Sequence, residues 1–147
     1  MFIEDRYEVE ISEDISFFEF ISEGKQGSIY KIVQYSPTNL KDVYNLGFGD
    51  KNLQTGQIDD KIITDNGDSE KVLATVGATV YAFVTQHPKA YIVITGNSAA
   101  RTRLYRMAIN KYYNDIVQDF YVYGLLNGVW RPFKANGNYK AFLIKKI

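Results

Sequence analysis

The chain opens with short apolar runs separated by polar, glycine-marked breaks, and only later switches to helical spacing. Residues 17–21 form an aromatic-rich apolar run, and after Glu23-Gly24-Lys25-Gln26-Gly27 a second run occupies residues 28–35. Two such runs around a short glycine-bracketed loop predict a β-hairpin, which Ser36-Pro37-Thr38-Asn39 ends. Residues 43–48 alternate with period two and predict a third strand, where Gly47 and Gly49 allow a bulge or a close backbone approach. Residues 50–68 are polar and glycine-punctuated, a long loop with one short strand expected near residues 58–64.

Ser69 then caps a predicted helix reaching Gln86, with Val72, Leu73, Val76, Val80, Tyr81, Phe83 and Val84 spread around most of its circumference. A helix of that kind is buried on more than one side. Pro88 stops it, and residues 90–95 form a continuous apolar strand of the type that sits centrally in a sheet. Gly96-Asn97-Ser98 turns the chain into a second helix over residues 99–114, with Asn97 or Ser98 as its N-cap. Asn127-Gly128 and Asn136-Gly137 supply the positive φ angles of tight hairpin turns, and residues 139–147 close the sheet. The order βββ(β)-α-β-α-ββ(β) predicts an α+β fold, with two main helices on a largely antiparallel sheet, in a single domain over residues 1–147.

Composition narrows the chemistry more than it widens it. An apolar share of 46% with 15% aromatics is that of a folded globular chain. The absence of cysteine removes disulfides, thiolate zinc sites and thiol nucleophiles. A lone histidine, His87 in Gln86-His87-Pro88, leaves no material for a His cluster and reads as a helix C-terminal cation. Asp65-Asn66-Gly67-Asp68 lacks the spacing and terminal Glu of a calcium loop and reads as turn chemistry, while Asp59-Asp60 reads as a charged loop. No metal and no cofactor is expected. The start of the chain shows no basic segment followed by an apolar one, and no apolar run approaches the roughly 20 residues that span a bilayer, so a cytoplasmic protein without a membrane partner is expected.

Charge changes the picture, because seventeen basic and seventeen acidic residues cancel only in sum. Residues 1–23 carry eight acids against Arg6, a net of −7, and residues 89–147 carry ten bases against Asp115 and Asp119, a net of +8. Segregation on this scale reports on partners rather than on fold. The basic third contains Gly96-Asn97-Ser98-Ala99-Ala100-Arg101-Thr102-Arg103-Leu104-Tyr105-Arg106, in which a strand, a tight turn and a helix start aim backbone N–H groups at an anion. At about 100° per residue, Ala100, Leu104, Ala108 and Tyr112 make an apolar face near whose middle Arg101 projects, with Arg103 and Arg106 on the other side. A buried guanidinium requires a partner. Two kinds are open to Arg101: an internal partner, either a carboxylate such as Glu19 or Glu23 or main-chain carbonyls, or a ligand phosphate or carboxylate held jointly with Gly96, Asn97 and Ser98. Lys111, Trp130, Arg131, Lys134 and Lys140, interleaved with tyrosines, are the expected nucleic-acid face, and Trp130-Arg131 its most exposed aromatic-basic pair.

Two resemblances follow from these residues. The order of elements resembles the core of the GNAT acetyltransferase fold without its first two helices, and Asn97-x-x-Ala100 followed by Leu104-Tyr105 resembles that family's Asn-x-x-Ala-x-x-Leu-Tyr helix. Over residues 72–109 this resemblance implies an acyltransferase with a degenerate coenzyme A loop. The stretch from Thr95 to Arg106 is similar to a signature of an uncharacterised bacterial family of single-domain proteins about this long, which implies no activity. Three functions are therefore expected in turn: a module or toxin-like effector of a toxin–antitoxin kind that binds RNA or a nucleotide, an acyltransferase-like enzyme, and a self-associating interaction protein that pairs with a small protein partner or forms a homodimer.

Overall fold

The computed structural model describes residues 5–59, 62–96 and 98–147. The elements run β1 (Glu10–Ile11), β2 (Phe17–Gly24), β3 (Gly27–Pro37), β4 (Val43–Asp50), α1 (Ser69–Gln86), β5 (Tyr91–Ile94), α2 (Ala99–Asp119), β6 (Phe120–Leu126), β7 (Val129–Pro132) and β8 (Phe142–Lys146). The strands lie in one sheet in the order β1-β2-β3-β4-β5-β8-β6-β7. β4 and β5 pair in parallel with α1 as the crossover between them, whereas β1/β2, β2/β3, β5/β8, β6/β8 and β6/β7 pair antiparallel. This is the α+β fold, in the element order, that the hydrophobic pattern predicts.

Local chemistry explains where the boundaries differ. The extra strand is Glu10–Ile11, ahead of the hairpin, and the segment near Ile58 contributes only an isolated bridge to Lys51; residues 60 and 61 lie outside the described residues. There Asn52 folds the chain on itself, its Oδ1 accepting from the Gln54 and Thr55 amides, so the backbone bonds locally instead of extending a ladder. Asp68, not Ser69, occupies the N-cap position of α1, and its side chain makes no capping bond because Oδ2 accepts from Tyr7 Oη and Ser22 Oγ. α2 continues five residues beyond the expected Asn114 to Asp119, held by the stack of Tyr113 on Phe133 at 5.5 Å.

The chain divides into two compact units, Met1–Ser36 with Gly47–His87, and Pro37–Leu46 with Pro88–Ile147. In the first, α1 covers the side of the hairpin that carries Phe18, Phe20 and Tyr35. The Tyr35 ring stacks on Phe83 at 4.3 Å, and its hydroxyl meets Thr79 Oγ1 at 2.9 Å. His87 caps the helix C-terminus, its backbone N–H reaching Phe83 O and its ring lying 4.3 Å from the Phe83 ring. The lone lysine of an otherwise apolar stretch, Lys31, is 1% exposed and donates to Asp50 at 2.5 Å and to Thr64 O at 2.9 Å. Asp50 in turn accepts from the amide and hydroxyl of Thr64, which fastens the long loop to the sheet.

In the second unit the registers set two rungs across the sheet. Val43 stands opposite Tyr91, Tyr91 opposite Lys145 and Lys145 opposite Tyr121; the next rung runs from Asn45 through Val93, Leu143 and Tyr123 to Pro132. Between these rungs the alternate residues Ile92, Ile94, Val122, Phe142 and Ile144 point the other way and are buried. That buried side is packed with rings. Tyr139 lies over Gly124, where a Cβ would overlap its ring, and Phe133 bridges Phe142 to Tyr113 of α2.

Candidate functional site

The segregated charge follows the fold. The first unit holds fourteen acidic and six basic residues, a net of −8, and the second holds three acidic and eleven basic residues, a net of +8. The acids named above as internal partners are engaged within the first unit: Glu19 accepts from Lys51 Nζ at 2.8 Å and both Glu23 carboxylate oxygens accept from Ser28 Oγ.

The turn from Gly96 to Ser98 leads into α2 with one of its two expected caps in place. Ser98 caps α2, its Oγ accepting from the Arg101 amide at 3.2 Å, so one of the N–H groups aimed at an anion is already bonded. Gly96 approaches the first turn so closely that a Cβ there would overlap the backbone of Thr102. Asn97 lies outside the described residues. The buried stripe of α2 is Arg101, Tyr105 and Ile109. Ala100, expected on the buried face, is exposed, while Leu104, Ala108 and Tyr112 are half-buried, because the helix is rotated by about one position relative to the predicted face. Arg101 is 9% exposed and engaged within the protein. Burial pushes the neighbouring Tyr105 phenol up to about 12, an effect the Arg101 guanidinium partly opposes, so Tyr105 stays protonated and inside.

Arg103 and Lys111 are exposed on the outer side of α2, and Arg106 Nη1 donates to Asn138 Oδ1 at 3.0 Å, which brings it to the loop that carries Lys134 and Lys140, both exposed. Arg131 stands opposite Gly124 and so belongs to the α2 side of the sheet. These cations share one side of the unit. The exposed aromatics lie on the other.

Facing away from α2, Tyr91 is 41% exposed, Tyr121 52% and Trp130 39%, with Val93, Tyr123, Leu125 and Leu143 half-buried between them. Lys145 sits at the centre of this face, cross-strand from both Tyr91 and Tyr121. Its ammonium lies 5.6 Å from the Tyr91 ring centre and donates to Pro88 O at 3.1 Å, which fixes the stem along the aromatic surface. At one end of the face is a groove of about 460 Å³ lined by Leu40, Val43, Tyr91, Val93, Leu143 and Trp130, with Thr38 and Asn39 at its rim. Its outer wall is a local turn, since Thr38 Oγ1 accepts from the Leu40 amide and donates to Val43 O at 2.8 Å.

Of this face the residue pattern singled out only Trp130 as exposed. Tyr121 and Tyr123 alternate with Val122 and Gly124, a period-two signal that places them on one side, but Tyr91 and Lys145 join them only through register. The face therefore offers stacking surface and one cation, and among the described residues no group of three or more His, Asp or Glu is placed to hold a metal. Asp65 and Asp68 are engaged within the first unit, Asp65 Oδ1 accepting from the Gly67 amide in a turn and Asp68 accepting from the Tyr7 and Ser22 hydroxyls; Asp60 lies outside the described residues. Among the described residues no helix is long and apolar enough to cross a membrane.

The likeness to the acetyltransferase core goes no further than element order. Thr75-Val76-Gly77-Ala78 lies inside α1, and that helix begins on Asp68 and Glu70, carboxylates where a coenzyme pyrophosphate would need cations. No curated protein and no solved structure matches the chain. One family model does, over residues 3–147, and the chain belongs to that family, the family of unknown function DUF6934.

Proposed function

We propose that this protein is a binding module for single-stranded nucleic acid, with the open face of the second unit as its stacking platform. The observation that carries the reading is the rung Tyr91, Lys145, Tyr121, with Tyr123 and Trp130 beside it, on the solvent side of a unit whose net charge is +8. Bases stack on aromatic faces irrespective of sequence, each contact being worth roughly 1–3 kcal/mol, and a sheet bearing exposed rings is a recurrent RNA platform. Lys145 places a positive charge among the rings, and the exposed cations of α2 and of the loop after β7 raise the potential over the whole unit without touching the bases. A duplex hides its base faces in the stack, so single strands bind in preference.

Salt tests the electrostatic half of this reading. Affinity for a fluorescent single-stranded oligonucleotide, measured by anisotropy, is expected to fall linearly in log–log form with salt, with a slope of about −0.7 per phosphate neutralised. An affinity that holds constant between low and high salt contradicts it.

A further inference from the structure

Resting on that reading, we infer that the groove between Tyr91 and Trp130 is a pocket for one nucleobase, distinct in its demands from the flat stacking surface beside it. The groove has a volume of about 460 Å³, which falls within the roughly 300–1,000 Å³ of small-ligand sites. Its lining is almost wholly apolar: Leu40, Val43, Val93 and Leu143 form the floor and one wall, and the rings of Tyr91 and Trp130 are both partly exposed into it. Thr38 and Asn39 stand at the rim, where the Asn39 amide offers the edge of a planar heterocycle both a donor and an acceptor.

The occupant follows from charge as well as shape. An aliphatic chain would fill the floor but leave the cation and the π-faces of the two rings without a matching group. A nucleobase has two π-faces for Tyr91 and Trp130, and its attached phosphate would lie toward Lys145, whose ammonium is already held 5.6 Å from the Tyr91 ring centre. The 37–42 loop makes the pocket. Its Thr38 turn raises Leu40 as a wall that the flat part of the sheet lacks, and the Asp42 carbonyl accepting from the Tyr91 amide at 2.7 Å ties that wall to β5. A base bound here is clasped rather than merely stacked, so a free nucleoside, carrying no phosphate at all, binds.

Trp130 is the one tryptophan of the chain and lines the groove, so its emission reports occupancy directly. Adenosine, AMP and a short single-stranded oligonucleotide are each titrated into the intact protein. All three are expected to quench Trp130 saturably. Tyr91→Ala should weaken adenosine binding roughly tenfold while Tyr91→Phe retains it, because the ring and not the hydroxyl does the stacking. Val43→Phe, which fills the floor, should abolish the adenosine response.

Quenching by the oligonucleotide without any by adenosine or AMP overturns the pocket and leaves the platform reading intact. Saturable quenching by adenosine with no oligonucleotide binding upholds the pocket and overturns the platform reading. A blue shift of Trp130 emission that grows with protein concentration alone, with light scattering of a dimer, overturns the pocket by showing that a second copy covers the groove.

Discussion

Replacing Asp50 with alanine is expected to destabilise the protein by about 3–5 kcal/mol, the cost of removing one partner from a buried ion pair. For a chain of this size that lowers Tm by on the order of 10 °C. The reason lies in what Asp50 holds. Its Oδ1 takes Lys31 at 2.5 Å, and its Oδ2 takes the Thr64 amide at 3.0 Å and the Thr64 hydroxyl at 2.6 Å. With alanine there, a lysine that is 1% exposed keeps only the Thr64 carbonyl, and the loop loses its anchor at the same time. Adding Lys31→Met removes the stranded charge, so the double variant should be more stable than Asp50→Ala alone, a coupling that a double-mutant cycle by urea unfolding resolves. If Asp50→Ala instead costs less than about 1 kcal/mol, the pair behaves as a solvent-exposed salt bridge and the anchoring role is wrong.

The second large effect concerns binding. Alanine at Tyr91, Tyr121 or Trp130 should each weaken single-strand affinity by roughly 5- to 150-fold, corresponding to 1–3 kcal/mol per stacked base. All three rings are between 39% and 52% exposed, so their removal leaves the buried side of the sheet untouched and Tm is expected to move little. Arg103→Ala, on the far side of α2, should behave differently: a small loss, uniform across sequences, that shrinks as salt rises. Equal and small losses at the tyrosines and at Arg103 would mean that charge alone attracts the polyanion and that the aromatic face plays no part.

Much of the fold was legible from local pattern, because turns and helix ends are written in consecutive residues. The Asn127-Gly128 hairpin has both residues at positive φ, as such a turn requires, and Ser98 caps α2 through its own hydroxyl. Pro88 and Gly96 bracket β5 for the same reason. What escaped was set by pairing between distant residues. Residues 37–46 belong to the second unit through pairing that no local signal announces, although Lys41 and Asp42 cancel and the transfer leaves the unit charges of −8 and +8 unchanged.

The candidate site shows the same division. Arg101 follows a strand, turn and helix start and in sequence is open to an internal partner or to a ligand; folding buries it with Tyr105 and Ile109 and leaves it engaged inside the protein. Tyr91 looked like one more apolar residue of a central strand. It reaches the open face because parallel pairing with β4 and antiparallel pairing with β8 fix which way its side chain points. Lys145 is distant in sequence from both Tyr91 and Tyr121, and only the register of β8 sets it between them.

The most direct test is the indole N–H resonance of Trp130 in a nitrogen-15 correlation spectrum, followed during titration with a single-stranded oligonucleotide and, separately, with the duplex of the same sequence. The single strand should shift that resonance progressively, together with the backbone amides of Tyr91 and Tyr121, while the duplex leaves them in place. Shifts confined to the amides of Arg103 and Lys111 with either ligand, and none at Trp130, would contradict the stacking platform.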